Sequence, residues 1–252
     1  MIRTRNAVYH KILSILLAVS TIITMLFTVS ASSALAQTDE DEVILSHAVL
    51  VNMPAEVIFH DYSDAVFMLE TFNNAGESIR TGSGFFISNT GLAVTNLHVL
   101  DFAASATITL QNGDVYLVRG VNAMSEEYNV AVFSIDSDEK DWTYLPLGDS
   151  DTVRTGNSVY TIGNPLGYTN TMTAGIVGKA IREVGEETFI QFTAPISFGS
   201  GGSPLVNSYG QVVGIASSSF SYGQNLNLAV PINYAKELPF GESIPLNQFR
   251  GR

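Results

Sequence analysis

From Ala65 onward the chain is a succession of short apolar runs cut by turn signals, and that rhythm restricts it to an all-β fold. Runs at 65–72, 84–88, 92–95, 106–110, 115–121 and 130–135 form a first group of candidate strands. Runs at 158–162, 172–180, 188–192, 211–216 and 226–230 form a second. Asn73-Asn74-Ala75-Gly76, Asn89-Thr90-Gly91 and Asn112-Gly113 separate them with residues that tolerate tight turns. The polar stretch 136–141 reads as a linker between the groups, with the lone Trp142 beside it as a packing residue. Apart from a turn after His98 and a short piece near Tyr234, nothing sustains a helical period. The expected organisation is an acidic leader at 37–60, β units at 61–141 and 142–240, and a tail at 241–252.

The 252 residues are 46% hydrophobic and only 14% charged, which places them among globular chains. Twelve basic residues against twenty-four acidic ones give a net charge of -12, so no nucleic-acid partner is expected. The absence of cysteine excludes a disulfide framework and thiolate chemistry. The four histidines fall into no ligand spacing, so neither a metal nor a cofactor is expected. Arg3, Arg5 and Lys11, the apolar stretch 12–29 and the Ala34-Leu35-Ala36 site read as a signal peptide at 1–36. Ser14, Ser20, Thr21 and Thr24 dilute the apolar stretch, against a retained membrane anchor. A secreted or extracytoplasmic location follows, of the kind bacterial exported proteins have.

Three motifs carry chemistry. Gly82-Ser83-Gly84-Phe85 leads to Thr95-Asn96-Leu97-His98-Val99. Tyr160-Thr161-Ile162-Gly163-Asn164-Pro165-Leu166-Gly167 precedes Thr173-Ala174-Gly175-Ile176-Val177. Gly199-Ser200-Gly201-Gly202-Ser203-Pro204-Leu205 is followed by Gly214-Ile215 and Ala229-Val230-Pro231-Ile232. In this order and spacing, residues from about 65 to 232 resemble the HtrA/Deg-type trypsin-like serine proteases. The resemblance implies two packed six-stranded antiparallel β-barrels of chymotrypsin-like design, with the site between them. It also implies a polypeptide substrate or peptide ligand. No PDZ segment is expected beyond Pro231.

The family's chemistry uses a histidine base, a carboxylate that fixes the base's tautomer, and a serine nucleophile beside backbone N–H groups that hold the oxyanion. By resemblance His98 stands at the base. The carboxylate position, directly before the apolar run Val130-Ala131-Val132-Phe133, holds Asn129, and an amide there can hold the wrong tautomer. Glu127 lies two residues earlier, on the same face if the strand extends back that far. Two registers are open at the nucleophile. Counting back from Pro204 places Gly201 there, whereas counting forward from Gly199 places Ser200 there. Gly199, Gly201 and Gly202 are the oxyanion candidates, and Ser197 and Ser203 read as structural. By resemblance Thr193, Ala194, Pro195, Ile215, Ala216 and Ser217 wall the substrate pocket, which, lacking charge, suits a small apolar side chain. The expected function is a secreted trypsin-like serine endopeptidase impaired at two triad positions. The alternative is an inactive homologue that binds extended peptides or a protein partner.

Overall fold

The computed structural model describes residues 51–138, 141–164, 170–217 and 225–249. The expected signal peptide, most of the expected leader, His47 and the Pro165-Leu166-Gly167 part of the second motif lie outside the described residues.

Apolar residues placed every second position, or throughout a strand where both faces are covered, give twelve strands. β1 (Val66–Phe72), β2 (Ser78–Phe86), β3 (Leu92–Asn96), β4 (Ser105–Thr109), β5 (Val115–Ser125) and β6 (Val130–Ile135) close a first antiparallel barrel in the order β1-β2-β3-β6-β5-β4. β7 (Ser158–Gly163), β8 (Thr171–Val184), β9 (Glu187–Phe192), β10 (Pro204–Asn207), β11 (Val212–Ser217) and β12 (Asn227–Pro231) close a second, ordered β10-β11-β12-β9-β8-β7. Closure leaves no strand edge running the length of either sheet. The two six-stranded antiparallel barrels match the expected fold class.

Three apolar clusters hold this arrangement. Phe67, Phe86 and Phe133 fill the first barrel, with ring centroids of the Phe67 pairs 4.8 and 6.1 Å apart. Trp142 closes its end against Phe86 and Tyr116, as its packing reading requires. Phe192, Leu205 and Val213 fill the second barrel. The largest cluster joins the two: Val66, Phe85, Val94 and Val132 meet Leu145, Ile162, Val206, Ile215 and Val230. That seam removes water from both barrels and fixes one against the other, because burial of each such side chain contributes about 2 kcal/mol.

Three elements depart from the sequence reading. Helix α1 (Ala55–Tyr62) lies within the stretch read as leader and buries Ile58 completely in the seam cluster. At eight residues it is too short to show a period, and packing rather than propensity stabilises it. β10 begins within the loop motif at Pro204, a residue tolerated at the first position of a strand, where no ladder N–H is needed. The stretch read as a tail is stitched to the first barrel. Ile244 exchanges backbone hydrogen bonds with Val121 at 2.9 and 2.8 Å, and Leu246 and Phe249 are buried in that barrel's cluster. The two short helices near His98 and Tyr234 appear as α2 (Leu97–Leu100) and α3 (Ile232–Lys236). No helix among the described residues is long and apolar enough to cross a membrane.

The docked C-terminal stretch gives a direct test. Phe249→Ala is expected to destabilise the domain by about 3 kcal/mol, the cost of emptying a buried aromatic site. Chemical denaturation measures it. A change below about 0.5 kcal/mol, the size of a typical surface substitution, would mean the stretch is not part of the fold.

Candidate active site

His98 sits where β3 ends and α2 turns, so the chain reverses at the barrel rim and presents the imidazole half-buried. The turn needs support, since the first N–H groups of a helix lack intrahelical acceptors. Asn129 supplies it. Its backbone carbonyl accepts from Leu97 N–H at 3.0 Å, and its side-chain Oδ1 accepts from His98 N–H at 2.9 Å. Asn129 itself has φ of +53°, a left-handed conformation that asparagine adopts more readily than most residues.

This second bond decides how the amide meets the ring. With Oδ1 committed to the His98 backbone N–H, Nδ2 is the atom that faces the imidazole, and it stands 2.9 Å from Nδ1. Oδ1 is farther from Nδ1, at 3.2 Å. Rotating the amide by half a turn would set its NH2 against a backbone N–H, donor to donor. The nearer contact, Nδ2–H donating to Nδ1, puts the proton of the neutral ring on Nε2; Oδ1, with a second lone pair, also lies within hydrogen-bond distance of Nδ1 and would serve the other tautomer. Burial holds the His98 imidazole below the ordinary histidine pKa. The Asp101 carboxylate opposes the shift and the Arg80 guanidinium adds to it. The contact with Asn129 opposes the shift where Nδ1 donates to Oδ1, by favouring the charged form. Arg80 also braces the turn from outside, donating from Nη1 to the His98 and Asp101 carbonyls at 3.0 and 2.7 Å, with the exposed Phe102 ring 5.9 Å away.

The glycine-rich loop is held from the other barrel by Ser83. Ser83 N–H donates to the Gly201 carbonyl at 2.8 Å, and Ser83 Oγ donates to the Gly199 carbonyl at 2.7 Å. The same hydroxyl accepts from Asn164 N–H at 3.0 Å, and the Ser83 carbonyl accepts from Thr95 Oγ1 at 2.8 Å. Asn164 Oδ1 in turn accepts from Asn170 N–H, whose amide reaches Ser63 and Gln111. Glycine is obligatory at 202: φ is +88°, and a Cβ would lie 2.1 Å from the Ser83 carbonyl and 2.4 Å from Thr95 Oγ1. Ser83, Thr95 and Asn164 organise this loop although the sequence reading gave them no role. The signal available was a serine between two glycines directly before the apolar pair Phe85-Phe86.

The expected site residues fall into place unevenly. His98 and Asn129 are in contact. Ser200 is buried, and its Oγ accepts from Ser197 N–H at 3.3 Å; among the described residues no hydrogen bond joins it to His98. Gly202 does not fit its oxyanion role, because its N–H is spent on the Ala216 carbonyl at 2.9 Å. The Ser200 and Ser203 N–H groups are likewise used, on Ser197 and Ser200 carbonyls, so Gly199 and Gly201 are the loop's remaining candidates. Glu127 is exposed and far from the role of a substitute carboxylate, since Asn129 occupies the Nδ1 side of the ring. A cavity of about 150 Å³ opens beside Ser200 between Thr161, Thr171, Thr173 and Pro195–Ser197. Of the six residues expected to wall a pocket, Pro195 lines this one. Ala194, Ile215 and Ala216 are fully buried in the core clusters, Ala194 just past β9 and the other two on β11, which is covered on both faces. Ser217 is buried as well, and Thr193 spends its hydroxyl on Ile176 N–H.

Comparison with known proteins fits this geometry. The family model for the trypsin-like peptidase domain matches residues 82–215, more than half of the chain and every residue discussed above from Gly82 to Ile215. The chain belongs to the trypsin-like peptidases. Within them its domain is of the HtrA type. It is 36% identical over 167 residues to the putative serine protease HhoB of Synechocystis sp., covering 63% of this chain and 39% of that protein. It is 35% identical over 163 residues to a probable periplasmic serine endoprotease, DegP-like, of Rhizobium meliloti, covering 62% and 32%. It also resembles the solved HtrA-type protease AlgWS227A with tripeptide: TM-score 0.65, 31% identity, 73% of this chain and 62% of that one. The chain thus spans well under half the length of the curated relatives it matches.

Two outcomes test the trypsin-like site as described. Ser83→Ala removes a donor to Gly199 and strands the buried Asn164 N–H, so it should cost about 1–3 kcal/mol by denaturation; no loss would mean that the loop is held otherwise. The His98 shift sets a pH dependence. A depressed histidine pKa means that the unfolded chain binds more protons, so stability is full above about pH 6.5 and declines as pH falls through that value. Thermal melting should show this slope, and His98→Gln should flatten it.

Proposed function

We propose that this chain is an extracytoplasmic HtrA-type domain that engages extended polypeptide without hydrolysing it. The observation that carries the reading is the amide of Asn129 at His98. A general base must present a lone pair on the nitrogen that faces the nucleophile. With Nδ1 accepting from Asn129 Nδ2 at 2.9 Å, Nε2 carries the proton and cannot take another from a hydroxyl. In a related triad the same exchange of carboxylate for amide lowers turnover by about ten-thousand-fold for this reason.

The nucleophile side supports the reading. In the register without gaps Gly201 occupies the serine position, and its carbonyl is fixed to the first barrel. The Ser200 hydroxyl, the other choice, is buried and bonded within its own loop. Peptide engagement rests on the HtrA-type relatives, one solved with a tripeptide, and on the exposed Phe198 beside the loop. Location outside the cytoplasm rests on the 1–36 signal features and on relatives named as periplasmic.

Two measurements test this. The purified domain should neither take up a fluorophosphonate probe nor cleave casein, even at high protein concentration, and a peptide array should report binding. Labelling that disappears in Ser200→Ala would establish the protease reading instead. The repaired double variant Gly201→Ser with Asn129→Asp should gain hydrolysis detectably above the parent. No gain would mean that the loop does not place residue 201 against the imidazole.

A further inference from the structure

We propose that His98 has exchanged its role and donates a hydrogen bond from Nε2–H to an acceptor oxygen of the bound chain, a main-chain carbonyl or a C-terminal carboxylate. This deepens the preceding reading and rests on it. Asn129 Oδ1 accepts the His98 backbone N–H, and Nδ2, at 2.9 Å against 3.2 Å for Oδ1, is the nearer atom to Nδ1, which favours the tautomer with the proton on Nε2. The opposite ring nitrogen is then a donor, and among the described residues it has no protein acceptor. The His98 ring nitrogens are not among the buried unpartnered atoms, so water serves Nε2 until a ligand acceptor displaces it.

The His98 turn and the glycine loop are close neighbours: a Cβ on Gly82 would lie 2.9 Å from Val99 and 3.1 Å from the Gly201 carbonyl. At that loop position Gly201 contributes no side chain, so no hydroxyl of residue 201 competes for Nε2. The groups that act on the ring from neighbouring elements are Asp101 on its own turn, Arg80 on β2 and the neutral Asn129 before β6. None of these supplies an acceptor to Nε2. A hydroxyl nucleophile needs Nε2 as an acceptor, whereas a peptide oxygen needs it as a donor, and this site offers the donor.

The test uses the full domain and two probes: acetyl-trialanine with a free carboxylate, and the same peptide amidated. Long-range nitrogen–proton NMR of His98 should show Nε2 as the protonated nitrogen in the parent, with its resonance moving as peptide is added. Asn129→Asp provides the second arm. About two pH units above the histidine range the ring of that variant is neutral, the carboxylate takes Nδ1–H, and Nε2 becomes an acceptor that repels a peptide oxygen. Affinity should then fall about tenfold relative to the parent, with melting behaviour showing the fold intact. A loss confined to the free acid assigns the partner to the terminal carboxylate, and an equal loss for both peptides assigns it to a carbonyl. Nδ1–H in the parent, or equal affinity for parent and variant, would overturn the donor role while leaving peptide engagement standing. No binding of either peptide by the parent would overturn the donor role together with the peptide reading.

Discussion

The hydrogen bond from Ser83 N–H to the Gly201 carbonyl, with the seam of apolar side chains behind it, is the constraint on which the rest of the structure depends. It ties an interior strand of the first barrel to the one loop of the second that must keep an irregular backbone. Buried irregular backbone is costly unless each polar group finds a partner. Ser83 serves that need with three groups at once: its N–H and hydroxyl donate to Gly201 and Gly199, and its carbonyl receives Thr95. The close approach explains why 202 must be glycine, and why β2 carries Gly82 and Gly84 around Ser83. A Cβ at Gly84 would meet the Phe67 ring at 2.5 Å, and one at Gly82 would meet Val99 at 2.9 Å. The order of strands in two closed barrels is the means by which residues 116 positions apart come into this contact.

Much of this was legible in the sequence. Eleven of the twelve strands announce themselves, because covered apolar faces impose their period on the residues whatever the tertiary details. His98 and Asn129 were legible as a facing pair through their motifs, and the two lie in contact. What the sequence could not show depends on contacts rather than on period. α1 is stabilised by Ile58, Phe59 and Tyr62 packing on the seam, and the stretch 244–249 reads as a tail until Val121 pairs with it. The pocket residues were misjudged for a related reason. Ile215 and Ala216 belong to a strand covered on both faces, so a motif that marks the neighbourhood of a substrate does not say which side chains reach it.

The register question at 200–201 shows where period and motif run out together. Glycine-rich loops carry no alternation, and a shift of one residue leaves composition unchanged. Here the discriminating information lies in backbone partners. Ser200 N–H and Ser203 N–H close turns within the loop, while the Gly201 carbonyl crosses to the other barrel. The Gly199 carbonyl crosses as well, to the Ser83 hydroxyl, so Ser200 lies between the two carbonyls that tie the loop to the first barrel.

Fold and chemistry separate here because they use different atoms of the same residues. At position 129 the scaffold needs a backbone carbonyl for Leu97 and one side-chain oxygen for the His98 N–H, and asparagine supplies both as aspartate would. The catalytic requirement falls on the other terminal atom, which is NH2 in place of oxygen. At position 201 the scaffold needs only the carbonyl that receives Ser83, and glycine retains it. The hydroxyl that acyl transfer requires is absent from every atom the fold consults. Neither substitution therefore draws a structural penalty that would oppose it, and the barrels, seam and loop remain as a trypsin-like peptidase builds them. In the reading proposed above, what changes is the polarity of one ring nitrogen, from a lone pair that takes a proton to an N–H that offers one.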